Sequence, residues 1–176
     1  ACMAGLISEA GYPANLEEAV AYAALQGGKR TRPRLVYLSA KACGGCREAA
    51  GWLAASIAFV PAFSLVHADL PCLDNDMLRR GVPTTHAKFG EAMGLLAGDA
   101  LLNLAYAALL RGELSSAMRV RGFDLVSSST NSMIGGLVLD MLGGDGLEDG
   151  ADAAAQLVAI HTGKTAALIA ASCRLG

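Results

Sequence analysis

The sequence predicts an all-α protein, helix after helix, and three observations carry that prediction. Apolar residues recur at three- and four-residue spacing along most of the 176 residues, the period of helices with one face turned inward. No segment sustains the alternation and β-branched enrichment of a strand, so strands have almost no support. Glycine pairs and prolines break the pattern at intervals of helix length.

Taken in order, helices are predicted over 15–26, 34–43, 48–70, 91–111, 122–142 and 152–174. The breaks fall at Gly27-Gly28, Gly44-Gly45, Gly81 to Pro83, Gly112 and Gly143 to Gly146. Pro33 suits a first helical turn, where its missing N–H would have had no partner, and this puts Lys29, Arg30 and Arg32 at a helix entrance. The stretch 91–111 is rich in small residues nearly all round and reads as a helix buried among others. Asp99 within it must be hydrogen-bonded to a neighbour or turned to a cavity.

Bulk properties narrow the function. The length suits one domain with a real core. Hydrophobic residues make up 53% and mean hydropathy is +0.41, but the surplus is mostly Ala and Gly. Charges are expected to interrupt each run before the ~18 apolar residues of a membrane span. No basic segment followed by an apolar stretch and a cleavage site opens the chain, so a cytoplasmic location is expected. A net charge of −2 and a pI of about 5.9 give no global attraction to nucleic acid or an acidic membrane. Any phosphate binding has to be local. Five scattered cysteines do not form a paired framework, and Cys43-x-x-Cys46 lacks the second pair that zinc would need, so it reads as structural.

Four polar clusters interrupt the apolar background. In Gly27-Gly28-Lys29-Arg30-Thr31-Arg32-Pro33, cations follow a flexible glycine pair and could grip a diphosphate, or form a solvated basic turn. In His67-Ala68-Asp69-Leu70-Pro71-Cys72-Leu73-Asp74-Asn75-Asp76, three carboxylates repel one another unless a cation neutralises them. Hard oxygens suit Mg²⁺, with Arg79 and Arg80 holding the anion it bridges; equally, acids beside two arginines can be a salt-bridged helix end. Asp140 follows Gly135-Gly136 on an apolar helix. The fourth cluster, His161-Thr162-Gly163-Lys164-Thr165, is not a nucleotide-binding phosphate loop, because Val158 stands where that loop needs glycine.

In order and spacing these clusters resemble the trans-isoprenyl diphosphate synthases, the polyprenyl synthetase family that includes farnesyl and geranylgeranyl diphosphate synthases. The resemblance runs from about Leu16 to Cys173 and is densest over 70–84 and 95–102. It implies an antiparallel bundle around a central cavity, and the condensation of isopentenyl diphosphate with an allylic diphosphate through Mg²⁺-assisted ionisation. By the same resemblance Lys29 and Arg32 bind isopentenyl diphosphate, and Arg79 and Arg80 bind the two diphosphates. Asp69 and Asp74 hold Mg²⁺, and Lys164 and Thr165 touch the allylic diphosphate. Asp69, Asp74 and Lys164 are the implied catalytic residues. Phe63 and Ser64 help close the product cavity and suggest a short product. A homodimer, or a heterodimer with another synthase subunit, is implied.

The chain also departs from the family pattern. Ala68 stands where the Asp-rich motif opens with aspartate, Pro61 where a histidine is usual, and Leu137 where a Gly-Gln pair would end. The second Asp-rich motif lies well beyond the Lys-Thr pair in the family, so residues 1–176 read as one helical domain, partial relative to the family with the C-terminal part missing. These departures raise an alternative function, a noncatalytic regulatory subunit of a prenyl diphosphate synthase heteromer.

Overall fold

A computed structural model describes the backbone of residues 1–142 and 153–176. The expected break at Gly143 to Gly146 and the start of the last predicted helix at residue 152 lie outside the described residues. The helices are α1 (Cys2–Glu9), α2 (Ala14–Leu25), α3 (Thr31–Ala42), α4 (Arg47–Ala68), α5 (Thr85–Phe89), α6 (Glu91–Leu109), α7 (Ser116–Leu142), α8 (Ala153–His161) and α9 (Ala167–Leu175), with a π-helical turn at Thr162–Ala166 joining the last two.

The central element is α4 rather than the predicted 91–111 helix. From Leu53 to Val60 every residue of α4 is buried, which is the pattern of a helix surrounded on all sides, and it packs against α2, α3, α6 and α9. By contrast α6 buries one face, Gly94, Ala97, Leu101, Leu104 and Ala108, and exposes Leu95, Leu96 and Asp99 on the other. Small residues let α6 approach α4 closely: Gly98 leaves the space into which the His67 ring fits. Both helices are long and apolar enough to cross a membrane by length and composition alone, against expectation, but two thirds of the α4 window is buried inside the fold.

Three other differences have local causes. Leu78–Arg79 and Val82–Pro83 form a minimal antiparallel hairpin that two-residue strands cannot announce through periodicity. Its tip carries Arg80 at φ 55° and Gly81 at φ 81°, the paired positive φ of a type I′ turn. The α7 helix begins six residues before the predicted 122, where Ser115 Oγ accepts from the Met118 N–H at 3.3 Å and Arg119 holds the preceding turn by donating to the carbonyls of Leu114 and Gly112. The predicted continuous 152–174 helix is interrupted by the π turn, where Gly163 meets α7: a Cβ there would lie 2.7 Å from the Ser132 carbonyl oxygen. Gly136 is its counterpart on α7, in contact with the Gly163–Lys164 backbone.

Candidate functional site

The loop between α2 and α3 turns on two left-handed glycines, Gly27 (φ 62°) and Gly28 (φ 90°), and faces the hairpin tip. A Cβ on Gly28 would stand 2.7 Å from Arg80 Nη1, so the bare glycine is what lets that guanidinium lie against the loop. Lys29, Arg32 and Arg80 thereby line one cavity of about 810 Å³, whose opposite wall is the α4 stripe Ala58, Pro61, Ala62 and Leu65. Among the described residues no carboxylate lines it. Arg32 Nε is buried without a hydrogen-bond partner, and burial holds this guanidinium below its usual pKa. A cavity with cations on one side and apolar carbon on the other suits an anionic head joined to a hydrocarbon. Arg30, the third cation of the sequence cluster, lines the cavity as well, but its Nη2 donates to the Ala24 carbonyl at 2.9 Å and so ties off the last turn of α2.

A smaller cavity of about 220 Å³ adjoins the first through Gln26, Gly27, Ala62, Leu65 and Arg80. It contains Asp69 and Arg79. Asp69 lies just past the C-terminus of α4, a position that a carboxylate disfavours because the last carbonyls point at it, and its side chain is 5% exposed. A buried charge there needs a cation, and Arg79 provides it. Arg79 Nε donates to Asp69 Oδ1 at 2.7 Å, Nη2 makes a second, short bond to the same oxygen, and Nη2 also reaches Asp76 Oδ2 at 3.1 Å. The bond from Asp69 raises the Arg79 pKa above its ordinary value, burial opposes this, and the charges of Asp69, Asp76 and Asp74 add to the rise. Asp74 is exposed. Thr84 Oγ1 donates to the Asp76 carbonyl at 2.7 Å and His86 Nε2 meets it at 2.9 Å, so the backbone of the acidic loop is held as well.

Lys164 and Thr165 sit on the π turn, both exposed, away from the residues lining these cavities. Lys164 Nζ makes a short ion pair with Asp140 of α7. Ile169, one turn beyond Thr165, is the residue by which α9 reaches the cationic cavity. Phe63 is buried in the core with its ring edge-on to His67, and Ser64 is half-buried; neither lines either cavity.

The sequence pattern of the family described as polyprenyl synthetase matches residues 13–176. The chain belongs to the polyprenyl synthetase family. It is 43% identical over 164 residues to farnesyl diphosphate synthase of Escherichia coli, covering 90% of this chain and 54% of that protein. To geranylgeranyl pyrophosphate synthase 4 of Arabidopsis thaliana it is 40% identical over 166 residues, covering 93% and 44% respectively. Among solved structures, geranyltransferase from Legionella pneumophila superposes with a TM-score of 0.89 at 34% identity, covering 97% of this chain and 61% of that one. The chain thus spans about half the length of these curated relatives, and its all-α architecture is that of the solved neighbour.

For the family-implied Mg²⁺, the donors present do not fit. Ala68 has no side-chain oxygen and is buried, the Asp69 and Asp76 carboxylates are bonded to Arg79, and Asp74 alone of the motif's acids keeps an exposed carboxylate outside that pairing. Among the described residues no three metal-binding groups converge. Here Asp69, the residue the resemblance implies as a metal ligand, is paired with Arg79, and the acidic stretch forms the salt-bridged helix end that its flanking arginines also allowed. Sequence reasoning missed Gln26, which lines both cavities next to the glycine pair that it did single out.

Proposed function

We propose that this chain binds isopentenyl diphosphate in the Lys29–Arg32–Arg80 cavity and serves its condensation with an allylic diphosphate, as an isoprenyl diphosphate synthase of short-chain type. One observation carries this: Lys29, Arg32 and Arg80, together with Arg30, line a cavity that has an apolar helix wall and whose described lining holds no carboxylate. Arg32 and Arg80 hold the diphosphate by charge-assisted bonds and Lys29 adds charge, while Ala58, Pro61, Ala62 and Leu65 keep water from the five-carbon chain. In the reaction the allylic C–O bond ionises, the isopentenyl double bond attacks the cation, a proton leaves and pyrophosphate is released. This chain's residues orient the nucleophilic partner; no step is assigned to a metal. Lys164 reaches an allylic diphosphate only by releasing Asp140, an exposed pair worth at most about 1 kcal/mol.

The test is a mass-spectrometric assay of the purified chain with isopentenyl diphosphate, an allylic diphosphate and Mg²⁺, beside Ala68→Asp. Prenyl diphosphate formed by the unchanged chain supports the synthase; failure of isopentenyl diphosphate to bind at all overturns it. A second reading, a noncatalytic subunit paired with an active synthase, is favoured by Ala68 and the Arg79–Asp69 bond. Arabidopsis relatives at 38–39% identity are named large subunits of heterodimeric geranylgeranyl pyrophosphate synthases. Under this reading the chain binds isopentenyl diphosphate without turnover and shifts a partner synthase's product lengths; an unshifted profile eliminates it.

A further inference from the structure

We propose that Arg79 stands in the place of a divalent cation in this chain's acidic segment, and that Ala68 is the residue that makes the segment independent of metal. Residues 67–80 carry three carboxylates, Asp69, Asp74 and Asp76, and two guanidiniums, Arg79 and Arg80. Arg80 lies against the Gly28 loop and makes no ion pair with the acids, whereas Arg79 gathers them, bonding Asp69 and Asp76. Three backbone carbonyls of the segment are also engaged, while the Asp74 carboxylate stays exposed. The Ala68 carbonyl accepts from Asp74 N at 2.9 Å, the Leu70 carbonyl from Leu73 and Asn75, and the Asp76 carbonyl from Thr84. A metal arriving at Asp69 would have to displace a guanidinium from a buried carboxylate and would find methyl carbon at residue 68 where a second oxygen is needed. Aspartate at 68 would add a fourth carboxylate that a single bound guanidinium cannot neutralise, and the excess charge would draw in a divalent cation.

The consequence is a division of labour within one chain: an acidic segment held rigid by its own arginine, beside a cationic cavity that takes its anion without metal. The location of the anion rests on the proposed isopentenyl diphosphate site, but the metal question is read out separately.

The experiment is thermal melting of the whole chain and of Arg79→Met, each in EDTA and in millimolar Mg²⁺. The unchanged chain is expected to melt at the same temperature in both. Arg79→Met is expected to melt at least about 5 °C lower in EDTA, and to recover at least half of that loss in Mg²⁺ because the metal then neutralises the freed acids. In parallel, Mn²⁺ binding followed by electron paramagnetic resonance should be at least about tenfold tighter in Ala68→Asp than in the unchanged chain. Stabilisation of the unchanged chain by Mg²⁺, abolished by Asp74→Asn, overturns the proposal. So does an Arg79→Met protein that Mg²⁺ leaves unaltered or unfolded. Isothermal titration of the unchanged chain with isopentenyl diphosphate in EDTA tests the cavity by itself: no binding there sinks the proposed function and leaves the melting result standing.

Discussion

Two groups of charge line adjoining cavities in this molecule and are treated in opposite ways. In the acidic segment charge is answered from within: Asp69 by Arg79, Asp76 by the same guanidinium. In the cationic cavity Lys29, Arg32 and Arg80 face carbon, and Arg32 Nε has no partner. Both arrangements cost desolvation, but only the first recovers it within the chain. The difference teaches where to look for a ligand: charge already neutralised holds the fold together, and charge left unanswered awaits a partner.

That contrast makes separable predictions. The largest effect is expected at Asp69→Ala, which leaves Arg79 only its bond to the exposed Asp76 and should lower stability by about 2–4 kcal/mol in urea denaturation. A loss near zero would mean that the pair is formed in solvent and that the comparison fails. Arg32→Met should do the reverse: isopentenyl diphosphate affinity falls about 10- to 100-fold by isothermal titration, while stability holds or rises because an unpaired buried donor is removed. Equal losses of binding from Arg32→Met and Asp69→Ala would erase the distinction. Gly28→Ala combines a left-handed φ of 90° with a contact on Arg80 and should cost about 1–2 kcal/mol of stability, with weaker binding as Arg80 is pushed from the loop. Smallest is Lys164→Met: both partners of its pair with Asp140 are over 40% exposed, so thermal melting should register less than about 1 kcal/mol.

Much of the fold is legible in the order of residues. The helix periods of α2, α3 and α6 end within a few residues of their predicted limits, because Gly27, Gly44 and Gly112 sit at the breaks with positive φ that only special residues adopt readily. The hairpin at 78–83 is not legible, since two-residue strands have no pattern, although Arg80-Gly81 marks its turn. Gly136 reads as half of a motif pair; its physical role is to let the α7 backbone touch the π turn, a contact no local pattern announces. The cations of the first cluster look equivalent in sequence and Arg30 and Arg32 both line the cavity, yet only Arg30 is tied to the end of α2 by a bond to the Ala24 carbonyl, while Arg32 Nε has no hydrogen-bond partner.

The sequence by itself determined the helical class, the family, and the set of charged residues that an apolar chain of this kind keeps. Tertiary structure alone decided which of those charges are spent on each other. Arg79 and Asp69 are ten positions apart and Lys164 and Asp140 twenty-four, and ion pairing depends on through-space distance and burial, which residue order does not contain.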